Sequence, residues 1–259
     1  MIEIKNLTKS YSGRNVLDGV NAVIRDGETF SVIGPSGCGK STFLKCIIRL
    51  IKPEAGEILV DGKSVADIEN EFELAKLRRN FGYLFQGGAL FDSLTVMENV
   101  TFGLKHLTDI PRSEYTRIAR EKLALVDLKD AENLKPAELS GGMKKRAALA
   151  RAIATEPKYI LYDEPTTGLD PITCEMVQGL ITDMAAKLRI TSVVVTHDIR
   201  LAFTISNRIA MLFNGNFDVT GAPDELRVSK NPAVIKFTEE ALSPDAHSRK
   251  NGFNGKAKI

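Results

Sequence analysis

The chain has 259 residues, 43% of them hydrophobic and 26% charged, and a net charge of +2. That balance fits a globular protein of one large domain, or a core with a smaller subdomain, and gives no general case for nucleic acid or an anionic membrane as partner. Three cysteines without a C-x-x-C pair fit a reducing cytosol, the opening MIEIKNLTKSY lacks the apolar run of a secretory signal, and no apolar run approaches the roughly 18–20 residues that span a bilayer.

In chain order, residues 2–4 and 20–25 read as strands of an antiparallel flank. ETFSVIG, residues 28–34, is a β-branched and aromatic strand, and residues 40–50 carry a helical pattern. GEILVDG, FGYLF, YILYDE, TSVVVTH and RIAMLFN give further short strands. Helical patterns fall at residues 72–79, 95–106, 112–125, 142–155, 172–188 and 199–206. Strands alternating with helices predict an α/β fold with a largely parallel sheet. From 87 to about 139 there is no strand pattern, which predicts a helical subdomain, about 87–155, inserted into a domain of residues 1–242. The tail from 243 to 259 is polar and rich in Gly and Lys, the composition of a mobile segment.

Between the predicted strand at 28–34 and the predicted helix at 40–50 lies GPSGCGKS, residues 34–41, a match to G-x-x-x-x-G-K-[ST] in the strand-to-helix context of a P-loop. Gly34, Pro35, Ser36, Gly37, Cys38, Gly39, Lys40, Ser41 and Thr42 are the candidate phosphate-binding residues. Backbone N–H groups of Gly37, Cys38, Gly39 and Lys40 wrap a phosphate because glycine has no Cβ to obstruct it. Lys40 adds a point charge, and the Ser41 hydroxyl is a ligand for Mg²⁺. Helix-dipole attraction contributes roughly 0.3–1 kcal/mol. Micromolar binding requires about 8 kcal/mol, so lysine, amides and metal must act together. The motif predicts a nucleoside triphosphate site. Cys38 within it, like Cys46 and Cys174 on predicted helices, reads as a small filler.

Other strands end in chemistry-bearing side chains. YILYDEP presents Asp163 to Mg²⁺ beside the P-loop, with Glu164 placed to polarise an attacking water. SVVVTHD ends in His197, a candidate γ-phosphate sensor, and FGYLFQ ends in Gln86, within reach of the metal or its water. In a parallel sheet these ends open onto one edge, where α/β sheets bind ligands.

ELSGGMKKRAALARA, residues 138–152, places Ser140, Gly141 and Gly142 ahead of a basic helix. Unpaired N–H groups at a helix start, the positive dipole end and two glycines make an anion site. A serine N-cap alone would also account for these residues. Lys144, Lys145, Arg146 and Arg151 read as a solvated helix face.

With GPSGCGKS, Gln86, LSGGM, YILYDEP, GLD (168–170) and TH (196–197) in this order, the chain resembles the ATP-binding subunit of an ABC transporter over nearly its whole length. The resemblance implies a P-loop NTPase core of the ABC ATPase type, with an antiparallel β flank and an inserted helical subdomain, and ATP and Mg²⁺ as cofactors. Tyr11 matches the aromatic that stacks on adenine in this family. Two copies would pack head to tail, so that Ser140, Gly141 and Gly142 contact the γ-phosphate held by the partner's Lys40. Glu164 would be the general base, His197 the switch, and Asp170 part of a loop at the dimer contact.

LSGGM carries Met143 where most relatives have glutamine, and GGALFDSLTVMENV follows Gln86. With KKRAALARAIATEP, DEPTTGLDP and GAPDELRVSKNPAVIKF, these segments look like the ATPases of Mce-associated systems, the Mla type that moves phospholipid between membranes of Gram-negative envelopes. That resemblance implies a transmembrane permease subunit, an MCE-domain lipid-binding protein, and a peripheral place on the cytoplasmic side of the inner membrane, in contact with the membrane through the permease and without nucleic acid. Leu90, Phe91, Leu94, Val96 and Met97 would offer an apolar groove to the permease's coupling helix. The alternatives are the ATPase of a small-solute importer of the polar amino acid type and a soluble ABC ATPase of iron–sulfur assembly. A P-loop GTPase or kinase would leave Ser140-Gly141-Gly142 unexplained.

Overall fold

The structure is a computed structural model that describes residues 1–235, so the expected tail, 243–259, lies outside the described residues. Strands β1 (Ile2–Tyr11) and β2 (Arg14–Ile24) form an antiparallel hairpin closed between Tyr11 and Arg14. After β3 (Thr29–Ile33), the glycine-rich loop leads into α1 (Lys40–Ile47). β4 (Ala55–Val60) and the short β5 (Lys63–Ser64) complete a four-stranded antiparallel sheet in the order β2-β1-β4-β5. Then follow α2 (Glu71–Arg78), β6 (Phe81–Leu84) and three helices, α3 (Val96–Leu107), α4 (Tyr115–Leu125) and α5 (Gly141–Ile153). The chain returns through β7 (Tyr159–Asp163), α6 (Pro171–Leu188), β8 (Thr191–Thr196), α7 (Ile199–Ile205), β9 (Arg208–Phe213), β10 (Asn216–Gly221) and α8 (Pro223–Arg227).

The second sheet runs β10-β9-β3-β8-β7-β6, parallel throughout except for β10. A parallel sheet is covered on both faces, and β7 and β8 are accordingly buried at every position. Successive side chains alternate between two cores. Ile160, Tyr162 and Val194 pack with Val100, Leu104 and Leu149 of the helices between β6 and β7. Tyr159, Leu161, Val193 and Val195 pack on the opposite face with Phe43, Leu44 and Ile47 of α1, which this burial sandwiches against Ile2 and Ile4 of the antiparallel sheet. Residues 40, 43, 44 and 47, all buried, fall at i, i+3, i+4 and i+7, the stripe of a one-sided helix.

The expected α/β class with an antiparallel flank is the observed one, and no strand occurs from 87 to 139. The flank strands are longer than the expected 2–4 and 20–25, running 2–11 and 14–24, and other details differ as well. The α4 helix begins at Tyr115, preceded by a 3₁₀ turn at Arg112–Glu114. β6 stops at Leu84, two residues short of Gln86. β10 and α8 had no legible pattern, because β10 (NFDVTG) is an edge strand without a buried residue and α8 is only one turn long. Among the described residues, no helix is long and apolar enough to cross a membrane.

Candidate functional site

Because β3, β8 and β7 are adjacent and parallel, their carboxyl ends bring three sequence segments to one edge. The first is the loop after β3. Gly34 approaches β9 so closely that a β-carbon would lie 2.4 Å from the Leu212 carbonyl oxygen. Gly39, at φ 111°, precedes α1 with no side-chain cap, and a β-carbon there would lie 2.8 Å from the Val16 carbonyl oxygen. The first turn of α1 thus keeps unpaired N–H groups facing the loop, which is the anion-binding condition. Pro35, Ser36 and Gly37 are exposed, while Cys38, Ser41 and Thr42 are half-buried. Burial pushes the Cys38 thiol above its usual pKa, which fits an inert filler.

Lys40, only 5% exposed, lies across this loop. Its Nζ donates to the carbonyl oxygens of Gly34 (2.8 Å) and Pro35 (3.0 Å), and it is 3.5 Å from Glu164 Oε1. The Ser41 hydroxyl donates to Asp163 Oδ1 at 2.6 Å, joining the start of α1 to the end of β7. Tyr83 of β6 donates its hydroxyl to Asp163 Oδ2 at 3.2 Å. Burial, reinforced by the charge of Asp163, pushes the Tyr83 phenol far above its usual pKa, so it remains a donor.

A hydroxyl and a carboxylate are hard oxygen donors, the set that suits Mg²⁺, which takes one or two protein ligands and completes its shell with water and phosphate. Among the described residues no cluster of three His, Cys, Asp or Glu side chains exists, so a dedicated all-protein metal cage is absent there. The residues present fit a magnesium ion held jointly with a nucleotide.

Glu164, one residue past β7, is 7% exposed and sits at φ 50°, a left-handed conformation uncommon for a residue with a β-carbon. Its N–H donates to Val195 O at 2.9 Å. Its Oε2 receives the Thr167 hydroxyl (3.1 Å) and the His197 backbone N–H (3.3 Å), and lies 2.8 Å from His197 Nδ1. Burial raises the carboxyl's pKa, but hydrogen bonding and charge from His197, with the charge of Lys40, outweigh it and leave the pKa below the usual glutamate value. An ionised, buried carboxylate is thereby held beside the lysine of the glycine-rich loop. It is competent to accept a proton.

The remaining predicted residues fall in three places. Ser140 caps α5 by accepting from Met143 N (3.2 Å), and Ser140 and Gly141 are exposed. Asp170 caps α6, accepting from the Thr173 N–H (3.0 Å) and hydroxyl (2.6 Å). These helix starts meet: a β-carbon on Gly142 would lie 2.7 Å from Thr173 Cγ2. Tyr11 is exposed at the end of β1, with the Lys9 ammonium 5.1 Å from its ring centre. Gln86 is exposed in the turn beyond β6, and the hydrogen bonds of Asp163 go to Ser41 and Tyr83 instead.

The expected solvated face of α5 needs correction. Lys145 is 6% exposed and donates to the backbone carbonyl of Glu164 at 3.0 Å. Arg151 donates to the carbonyls of Gly88 (2.8 Å) and Ala89 (2.7 Å), fastening α5 to the turn after β6. A basic run reads as solvated in a sequence because nothing local marks which cation meets a buried carbonyl. Tyr83 was missed as well, although its alternation with Leu84 in FGYL puts the two on opposite faces.

Comparison with known proteins gives one family model over residues 17–167, that of the ABC transporter. "Probable ribonucleotide transport ATP-binding protein mkl" of Mycobacterium tuberculosis is 42% identical over 91% of this chain. This chain spans 66% of that relative's length. The "Intermembrane phospholipid transport system ATP-binding protein MlaF" of Haemophilus influenzae is 39% identical over 92% of this chain and 89% of its own. The "Methionine import ATP-binding protein MetN" of Carboxydothermus hydrogenoformans is 38% identical, over 96% and 76%. A dimeric solved structure, a post-hydrolysis state of the ATP-binding cassette MJ0796 bound to ADP and Pi, superposes with a TM-score of 0.81 at 38% identity, over 86% of this chain and 99% of that one.

Proposed function

The chain belongs to the ABC transporter family, and on that premise we propose that it is the ATP-hydrolysing motor subunit of a membrane transporter that moves phospholipid between membranes of the cell envelope. The observation that carries the enzymatic reading is the convergence of Lys40, Asp163, Glu164 and His197 at one sheet edge, with Lys40 3.5 Å and His197 2.8 Å from the Glu164 carboxylate.

In this reading Gly34 to Thr42 bind the phosphates of ATP, Lys40 turning from its loop carbonyls toward them. Ser41 and Asp163 would hold Mg²⁺, with exposed Gln86 in the turn beyond β6 within reach of the metal or its water. Magnesium, when bound, neutralises charge on the transferring phosphoryl group. Glu164 takes a proton from the attacking water, and His197 orients that carboxylate and senses the γ-phosphate. Tyr11 stacks on adenine. Catalysis of this kind is positioning plus electrostatics, for which a buried, ionised and four-way-held carboxylate is suited.

A second copy of the chain completes each site. Ser140, Gly141 and Gly142 are exposed or half-exposed at a helix start, where first-turn N–H groups lack intrahelical partners, and Asp170 caps the neighbouring helix start beside them. They reach the γ-phosphate bound to the partner. The dimeric structural neighbour supports this arrangement. Closure of the dimer on ATP then pulls on a transmembrane permease, and hydrolysis resets it.

Support for lipid as cargo is the likeness to the phospholipid-transport relative over nine-tenths of both chains, together with Met143 in the signature. The partners on this reading are the permease and an MCE-domain lipid-binding protein, with the ATPase peripheral on the cytoplasmic side of the inner membrane. The methionine-import relative supports a second reading, a small-solute importer. Affinity purification of the tagged subunit from detergent-solubilised membranes separates them. A permease with an MCE-domain protein is expected; a solute-binding protein would instead make it an importer, and soluble partners alone would refute transport.

A further inference from the structure

The signature helix sends a buried cation back into its own chain's site. Lys145 leaves α5 one turn after Ser140, is 6% exposed, and donates to the Glu164 carbonyl at 3.0 Å. Packing alone does not call for it, since an apolar side chain of that length would fill the same space without a buried charge. What the ammonium holds is unusual. Glu164 occupies φ 50°, a conformation that persists only where the surroundings over-determine it. Its N–H is fixed to Val195 of β8 and its carboxylate to His197 and Thr167. Its carbonyl accepts from the Thr167 N–H of the same turn at 3.3 Å and, more closely, from Lys145, the one of these two donors that comes from another element. The contact of Gly142 with Thr173, and of Thr173 with Asp170, joins the same helix start to the segment that follows Glu164.

We propose that Lys145 is a positioning residue that ties the placement of the Glu164 carboxylate to the position of the signature helix. The proposal rests on the reading of Glu164 as general base. One subunit's Ser140-Gly141-Gly142 engages the nucleotide of the partner, while its Glu164 acts on its own nucleotide. Lys145 is the direct hydrogen bond between those two elements, so docking of the signature on one ATP sets the base at the other.

The test is steady-state ATP turnover of the complete subunit, with nucleotide binding and melting temperature measured alongside. Lys145→Met is expected to lower kcat by about 5-fold or more, the low end of a typical coupling between sites, with KM for ATP and nucleotide binding unchanged. Lys145→Arg, which keeps a buried donor, restores turnover. In a Glu164→Gln background Lys145→Met costs nothing further, because its effect passes through Glu164. Should the methionine variant not fold, Lys145→Leu, which also lacks a donor, replaces it with the same expectations. Wild-type kcat in the folded variant, or an equal fall in kcat and rise in KM, overturns the proposal. An active Glu164→Gln variant would instead remove the base assignment on which it rests.

Discussion

The imidazole Nδ1 of His197 lies 2.8 Å from Oε2 of Glu164, so the ends of two adjacent parallel strands share a hydrogen bond at the edge where the glycine-rich loop opens. Strand order alone accounts for this meeting: β7 and β8 are neighbours, and each ends one residue before its functional side chain. Glu164→Gln should retain ATP binding and lower turnover by about 10²–10⁴-fold, the usual worth of a general base. His197→Ala should also lower kcat, with nucleotide affinity near that of the parent chain. Turnover of Glu164→Gln close to the parent's, read by phosphate release, would remove Glu164 from the role.

Gly82 lets β6 pack closely on the end of α5. A β-carbon there would meet the Ala152 carbonyl oxygen at 2.4 Å, so β6 and the end of α5 approach as only glycine permits. Gly82→Ala should destabilise the fold by about 1–3 kcal/mol, the cost of overpacking. An unchanged denaturation midpoint would contradict that close approach.

Of the five residues expected at the permease contact, Val96 is buried in the helical core, and Leu90 and Phe91 differ from each other. Leu90 packs against the helical core, whereas Phe91 is exposed, its ring tilted against that of Phe102 with centres 4.6 Å apart and the Arg151 guanidinium 6.0 Å from its own centre. Phe91→Glu is therefore the cleaner probe, and Leu90→Glu should cost stability as well. Phe91→Glu should leave the isolated subunit folded, by its melting temperature, and abolish coupled transport in membranes. Transport that survives this substitution would place the contact elsewhere.

Much of this architecture was legible in the sequence where chemistry demands a fixed spacing. GPSGCGKS and YILYDEP state their geometry because a glycine loop must precede a helix and a carboxylate must end a buried strand. What stayed hidden depends on tertiary approach. Lys145 is one cation among four in its helix, and only the packing of α5 against Glu164 distinguishes it from Lys144. Tyr83 gains its role from a partner on β7 some eighty residues away. β10 carries no buried face, so its strand character comes from pairing with β9.

The central claim is that Ser140 of one copy completes the ATP site of another. Light-scattering mass of the Glu164→Gln chain, with and without saturating ATP and Mg²⁺, tests it most directly. The account predicts a mass that doubles with ATP, and loss of that doubling when Ser140→Arg is added while ATP binding persists. A chain that stays monomeric with ATP bound, or a dimer indifferent to Ser140→Arg, would contradict it.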